Sequence, residues 1–230
     1  MNDTIYQAAA LIVPLVIAIV FHEVAHGWTA RALGDPTAAE LGRLSLNPIR
    51  HVDPFGTLIL PGMLMLAGWP VFGWAKPVPV IKSRLRNPRR DMMIVAAAGP
   101  GSNLIMAAIA AVVVGLLLPG VQGAGQGGLL QNFLFANLLM FISINVFLAL
   151  FNLLPIPPFD GGHIVEGLLP PAVARRYAGL HSKALLIMIL LLVVVPLAFP
   201  SLNVVRWLVG PPVEWLTGRY MELAAAIAGA

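Results

Sequence analysis

Ala10-Leu-Ile-Val-Pro-Leu-Val-Ile-Ala-Ile-Val-Phe-His22-Glu23-Val-Ala-His26 decides how this chain is read. The run is apolar up to Phe21, and then two imidazoles and a carboxylate follow within five residues. Ionisable groups inside a membrane helix each cost a few kcal/mol, so three together need a compensating role. On a helix, residues i and i+4 share a face about 6 Å apart, so both imidazoles can reach one metal ion. The intervening Glu23 then lies beside the metal, where it can take a proton from water. With five His and five Glu in 230 residues, random order yields about 0.002 copies of H-E-x-x-H. A helix simply leaving the membrane would explain one such His, but not the triplet.

Composition sets the surroundings. The chain is 59% hydrophobic and 10% charged, against about 25% charged in soluble domains, and its mean hydropathy is +0.87. The sequence therefore predicts an integral membrane protein in a lipid bilayer. It has no cysteine, which excludes disulfides, thiolate metal sites and a cysteine nucleophile. Nine of the fourteen Lys and Arg fall between Arg31 and Arg90, interleaved with apolar spans. Such loops report topology and anionic headgroups, so no nucleic-acid partner is expected. Met1-Asn-Asp has no basic character, and no small-residue cleavage site follows the apolar run, so a cleaved signal peptide is not expected.

The fold class expected is an all-α polytopic membrane protein of about 4–6 transmembrane helices, residues 1–230 forming one domain. Core spans are expected over about 5–31, 92–118 and 129–153, with a further span over about 185–199 that Pro196 kinks or ends. The apolar stretch 55–72 is interrupted by Pro61-Gly62 and flanked on both sides by basic residues. The positive-inside rule puts both flanks in the cytoplasm, which suits a re-entrant segment rather than a full span. Gly42–Ile49 and Val71–Val80 read as extended, and are expected to form a small β-hairpin or edge strand near the interface. The tail 203–230 mixes Trp and Arg with apolar residues and reads as an interfacial helix.

Two histidines leave a catalytic zinc short of one protein ligand. Asp160 is the candidate, in Asn152-Leu-Leu-Pro-Ile-Pro-Pro-Phe-Asp160-Gly-Gly162. Its prolines forbid a regular helix and its glycines permit a tight turn. Broken backbone at membrane depth is tolerated where it lines a cavity or is buried in protein. An ordinary interfacial Asp capping the next helix remains the alternative reading. Topology favours a ligand, because the first and third spans both end on the cytoplasmic side.

At these residues the sequence resembles the site-2 protease family of intramembrane metalloproteases, from the first span to about Leu169. The resemblance implies His22, His26 and Asp160 as ligands of one Zn2+ per chain, and Glu23 as catalytic base. It implies a substrate or oxyanion role for Asn152. Ala98-Gly-Pro-Gly-Ser-Asn103, opening the second span, looks like the family's Gly-Pro-x-x-Asn helix start, with Asn103 supporting the site. Gly34-Asp35-Pro36, Asn47-Pro48 and Phe72-Gly-Trp-Ala-Lys-Pro-Val-Pro79 resemble the compact prokaryotic branch without a PDZ domain. The function implied is endoproteolysis of transmembrane protein substrates at a prokaryotic cell membrane, with the active site toward the cytoplasm. Strand addition to Gly42–Ile49 or Val71–Val80 would hold the unwound substrate.

His163 reads as interfacial more than as a ligand, and His51 and His181 as solvated loop residues. Two rival functions remain. A membrane zinc transporter would have no use for Glu23 as a base, and a helix-binding scaffold would not need an intact set of ligands.

Overall fold

The computed structural model describes residues 3–69, 73–122, 129–199, 201, 203 and 205–229. Its helices are α1 (Asp3–Ala32), α2 (Thr37–Glu40), α3 (Leu60–Leu66), α4 (Pro88–Gln122), α5 (Leu129–Asn152), α6 (Asp160–Leu168), α7 (Pro171–Ala178), α8 (Ala184–Ile189), α9 (Val195–Ala198) and α10 (Gly210–Ala228). Four helical stretches are long and apolar enough to cross a membrane: Ala10–Ala32, Pro88–Leu117, Gln131–Asn152 and Pro171–Ala198. The expected all-α polytopic class is therefore observed. The fourth stretch starts earlier than expected, because the turn Gly179–Lys183 joins α7 to α8 without breaking the helical path.

The centre of the bundle is α4, packed against α1, α5, α6 and α10. Ala107, Ala110, Ala111 and Val114 of α4 meet Ile142 and Val146 of α5 and Ala224 of α10 in one buried cluster. Small residues let these backbones approach closely, which is how helices associate where lipid removes the hydrophobic drive. Gly115 shows the limit: a Cβ there would stand 2.6 Å from the carbonyl oxygen of Ala224. The tail expected as an interfacial helix instead packs beside the middle of α4, where the Tyr220 hydroxyl donates to the Leu104 carbonyl at 3.0 Å. The groove of alanines and glycine on α4 is what admits it.

A second difference concerns α4 itself. Ala98–Asn103 does not open the helix, which begins ten residues earlier at Pro88. Proline suits the first helical position, and Asp91 accepts the Asn87 N–H at 2.7 Å, satisfying an end donor.

The expected β-hairpin is absent, for no strand forms among the described residues. Val71 lies outside them, but residues 76–81 show why an edge strand fails. The Lys76 N–H donates to the His51 carbonyl at 2.8 Å. Arg43 donates to the carbonyls of Lys76 at 2.9 Å and Pro77 at 3.5 Å. The N–H groups of Val78 and Ile81 go to side-chain carboxylates, and Pro77 and Pro79 have none. Little is left for a ladder.

The apolar stretch beginning at Pro54 folds as helix to Leu66, in segments of 6 and 7 residues. At 1.5 Å per residue that reaches about 20 Å, short of the ~30 Å hydrocarbon core. The chain then turns at Gly68 (φ 66°) and comes back, so that the Trp74 N–H reaches the Gly56 carbonyl at 3.1 Å.

Asp35 ties the exit of α1 to the approach of α4. It is fully buried, accepts N–H bonds from Thr37 at 3.0 Å and Ile81 at 2.6 Å, and also takes the Thr37 hydroxyl. Burial alone would raise its pKa, but these hydrogen bonds and Arg84 outweigh it and hold the carboxyl below its usual range. A depressed folded-state value gives stability that is full above the unfolded pKa and is lost as pH falls through the folded one. Asp35→Asn is accordingly expected to melt below wild type at neutral pH, with the gap closing below about pH 4. Thermal unfolding in detergent across that range would check it; a gap independent of pH would remove the charge from the account.

Candidate metal centre

His22, Glu23 and His26 lie in the second half of α1, and Asp160 begins α6. The structure brings the two histidines and the aspartate together. Nε2 of His22 lies 3.1 Å from Asp160 Oδ2, and Nε2 of His26 lies 3.4 Å from Oδ1. The imidazoles meet edge to face, with centroids 4.6 Å apart and planes at 88°.

Outer hydrogen bonds fix which nitrogen carries the proton. His26 Nδ1 faces the Val95 carbonyl at 2.7 Å, an acceptor only, so Nδ1 bears the hydrogen. His22 Nδ1 faces Asn103 Oδ1 at 2.6 Å. That oxygen is settled in turn, because Asn103 Nδ2 donates to Asn145 Oδ1 at 2.8 Å and to the Ala18 carbonyl at 3.2 Å. Asn145 presents its oxygen because its own Nδ2 donates to the Phe141 carbonyl at 2.8 Å. In the neutral rings both Nε2 atoms therefore carry a bare lone pair, aimed at a carboxylate.

Lone pairs facing an anion repel, and Asp160 Oδ2 is buried without a hydrogen bond. A cation resolves the conflict. Ligands about 2.0–2.1 Å from a tetrahedral zinc stand about 3.3 Å from one another, close to the 3.1 and 3.4 Å separations here. Gly99 leaves the room: a Cβ there would stand 2.4 Å from His26 Nε2 and 2.6 Å from His22 Nε2. These residues fit zinc.

Local backbone explains how Asp160 arrives. After Asn152 the prolines end α5, and the Phe159 N–H closes a turn on the Ile156 carbonyl at 3.1 Å. Helix α6 then starts hard against that turn, since a Cβ on Gly161 would lie 2.3 Å from the Leu153 carbonyl oxygen. Only glycine fits there.

Glu23 Oε2 accepts the Val78 N–H at 2.7 Å, which orients the carboxylate and leaves Oε1 outside that bond. The Asn152 amide donates back to the Leu148 carbonyl at 2.9 Å, within α5. Asn145 is the residue that sequence reasoning missed. The signal was available only in part: an amide within the apolar run of α5 needs a buried partner, but Asn137 in the same run looks no different in sequence. His51 is not solvated but 3% exposed, its Nε2 donating to the Ser45 carbonyl at 2.7 Å. His163 and His181 gather on Glu166, apart from this centre.

A triad suited to metal, enclosed by helices of membrane-crossing length, defines the class as a membrane metalloenzyme. Residues 10–197 match peptidase family M50. The chain is 39% identical over 200 residues to "Putative zinc metalloprotease YwhC" of Bacillus subtilis (strain 168), covering 85% of this chain and 87% of that one. It is 30% identical over 210 residues to "Putative zinc metalloprotease Rip2" of Mycobacterium tuberculosis (strain ATCC 25618 / H37Rv), covering 91% and 74%. No solved structure matches it. The chain belongs to peptidase family M50, the site-2 proteases, and is a zinc metalloprotease of that type.

The geometry makes two predictions about metal. Gly99→Ala should strip bound zinc, whereas Gly101→Ala, whose Cβ would meet nothing within 4 Å, should retain it; metal analysis of the purified proteins decides. Asn103→Ala should weaken zinc by about 10–100-fold, the usual effect of losing the partner that orients a ligand. Competition with a chelator measures that, and an unchanged affinity would mean that the Asn103 bond does not tune His22.

Proposed function

We propose that this protein is an intramembrane zinc endopeptidase, cutting transmembrane protein substrates within or beside their membrane segments. One catalytic zinc ion per chain is held by His22, His26 and Asp160, with Glu23 as general base. The single observation that carries the reading is the convergence of those three ligands beside Glu23, on α1 within a membrane-crossing stretch.

Zinc in this setting supplies a Lewis acid that polarises the scissile carbonyl and lowers the pKa of water. The chain's own residues do the rest. Glu23, oriented through the Val78 N–H bond, takes the proton of the attacking water at Oε1 and returns it to the leaving amine. Val95 and Asn103 keep the Nδ1 protons of the histidines in place, so both rings serve as neutral ligands. Asn152 gives one Nδ2 hydrogen to the Leu148 carbonyl and keeps the second for an oxyanion.

Basic residues from Arg31 to Arg90 favour a cytoplasmic position for the loops that follow α1. The active site accordingly faces the cytoplasm of a prokaryotic cell membrane, below the bilayer midplane. The apolar helix Pro54–Leu66, too short to cross the hydrocarbon core, is read as a re-entrant segment. Nucleic acid has no part in this reading. Substrate helices must unwind to expose a carbonyl, and they reach the centre from the bilayer.

The test is Glu23→Gln in detergent or liposomes. Bound zinc should stay at the wild-type level, while cleavage of a panel of single-span substrates should fall by about 10²–10⁴-fold. Undiminished cleavage would remove Glu23 as the base. Zinc flux through both proteins, without cleavage by either, would favour a carrier instead.

A further inference from the structure

A second gathering of metal-ligating side chains lies further along α6. His163 and Glu166 follow Asp160 at three-residue steps, and His181 reaches them from the turn Gly179–Lys183. Nδ1 of His163 is 3.8 Å and Nε2 of His181 is 3.2 Å from one atom, Glu166 Oε2. The three ligand atoms all fall within 4.8 Å of one another. Both ring nitrogens are buried, yet neither makes a hydrogen bond. Asp160 Oδ2 shows the same combination in the catalytic triad, a buried ligand atom close to its partners but outside hydrogen-bond geometry.

The surroundings arrange these donors. Lys82 Nζ takes the other carboxylate oxygen, Glu166 Oε1, at 2.5 Å, which turns Oε2 toward the rings. The imidazoles stack with centroids 4.5 Å apart and planes at 22°. Two protonated rings would repel at that spacing, so a pair of simple ion pairs does not account for it.

We propose that His163, Glu166 and His181 form a second, exchangeable site for a divalent transition ion of the zinc class, separate from the His22–His26–Asp160 centre. Two imidazoles and one carboxylate select zinc, cobalt, nickel or copper over magnesium and calcium. Closing the ligand atoms to the ~3.3 Å edge of a zinc tetrahedron takes side-chain rotation only. The two histidines have that freedom, with side chains 30% and 27% exposed. Water fills the fourth position. Lys82 adds a positive charge to the surroundings, so this site binds more weakly than the first. Its occupancy pins α6, which carries Asp160, to the turn that joins α7 and α8. Ion binding at this site is independent of proteolysis.

Equilibrium dialysis of the metal-stripped full-length protein in detergent against Zn2+ tests the site. Wild type is expected to hold two zinc ions per chain, and the double variant His163→Gln, His181→Gln only one. A single ion in wild type, or two in both proteins, would overturn the proposal. Should the variant fail to fold, wild type alone suffices, through histidine footprinting with diethyl pyrocarbonate read by mass spectrometry. Labelling of His163 and His181 should fall about tenfold once zinc exceeds its Kd tenfold, by mass action. Unchanged labelling at both residues while the second equivalent is added would equally overturn it. Loss of cleavage by Glu23→Gln leaves all these outcomes untouched, so the two readings fail separately.

Discussion

Two imidazole lone pairs aimed at one carboxylate, within a helix long enough to cross a membrane, are the constraint on which the rest of the protein depends. Left alone, the arrangement is repulsive. The surrounding residues all serve to impose it. Val95 and Asn103 hold the Nδ1 protons outward, Gly99 withdraws its side chain from the Nε2 atoms, and Gly161 lets α6 begin against the Leu153 carbonyl. A site held this firmly against its own electrostatics is built for a cation, and the cation's binding energy is returned to the fold as cohesion between α1 and α6.

The same economy governs the segment beside Glu23. Residues 76–81 have the extended, proline-marked look of an edge strand, yet their polar groups are spent on His51, Arg43, Glu23 and Asp35. Such a segment has little capacity to receive another chain by strand pairing. Its N–H groups serve instead to fix two carboxylates, the buried one at the exit of α1 and the one between the metal-binding histidines. Glu23 is thereby oriented by backbone, and its direction does not depend on a flexible side-chain partner.

How much of this was legible beforehand depends on where the cause lay. The three core spans were legible because membrane helices need long apolar runs, a property of composition within a window. His22 and His26 drew notice as ionisable groups at the end of an apolar run, and Asp160 as an acid at a proline-marked break in the backbone; the structure brings the three together. Asn145 was missed although it obeys the same logic; its partner Asn103 lies on another helix, and only packing joins them. The hairpin expectation failed for a related reason. Alternation and proline describe backbone shape, whereas strand formation depends on which partners the N–H and C=O groups find in three dimensions. His51 was misread because a basic neighbour in sequence says little about burial once a loop folds back on the bundle.

The family match ends at residue 197, and by composition the tail looked like a surface attachment. Instead, Val209 is 2% exposed against Leu154 and Phe159, the residues that shape the proline turn before Asp160. Phe159 is also clamped by Phe151, with ring centroids 4.6 Å apart. That turn has few backbone hydrogen bonds of its own, because its prolines cannot donate. Side-chain packing must hold it, and part of that packing comes from the tail. The position of the aspartate is therefore set from two sides: by glycine and proline chemistry written next to it in the sequence, and by a helix anchored through Gly115 and Tyr220 that lies some fifty residues further along the chain.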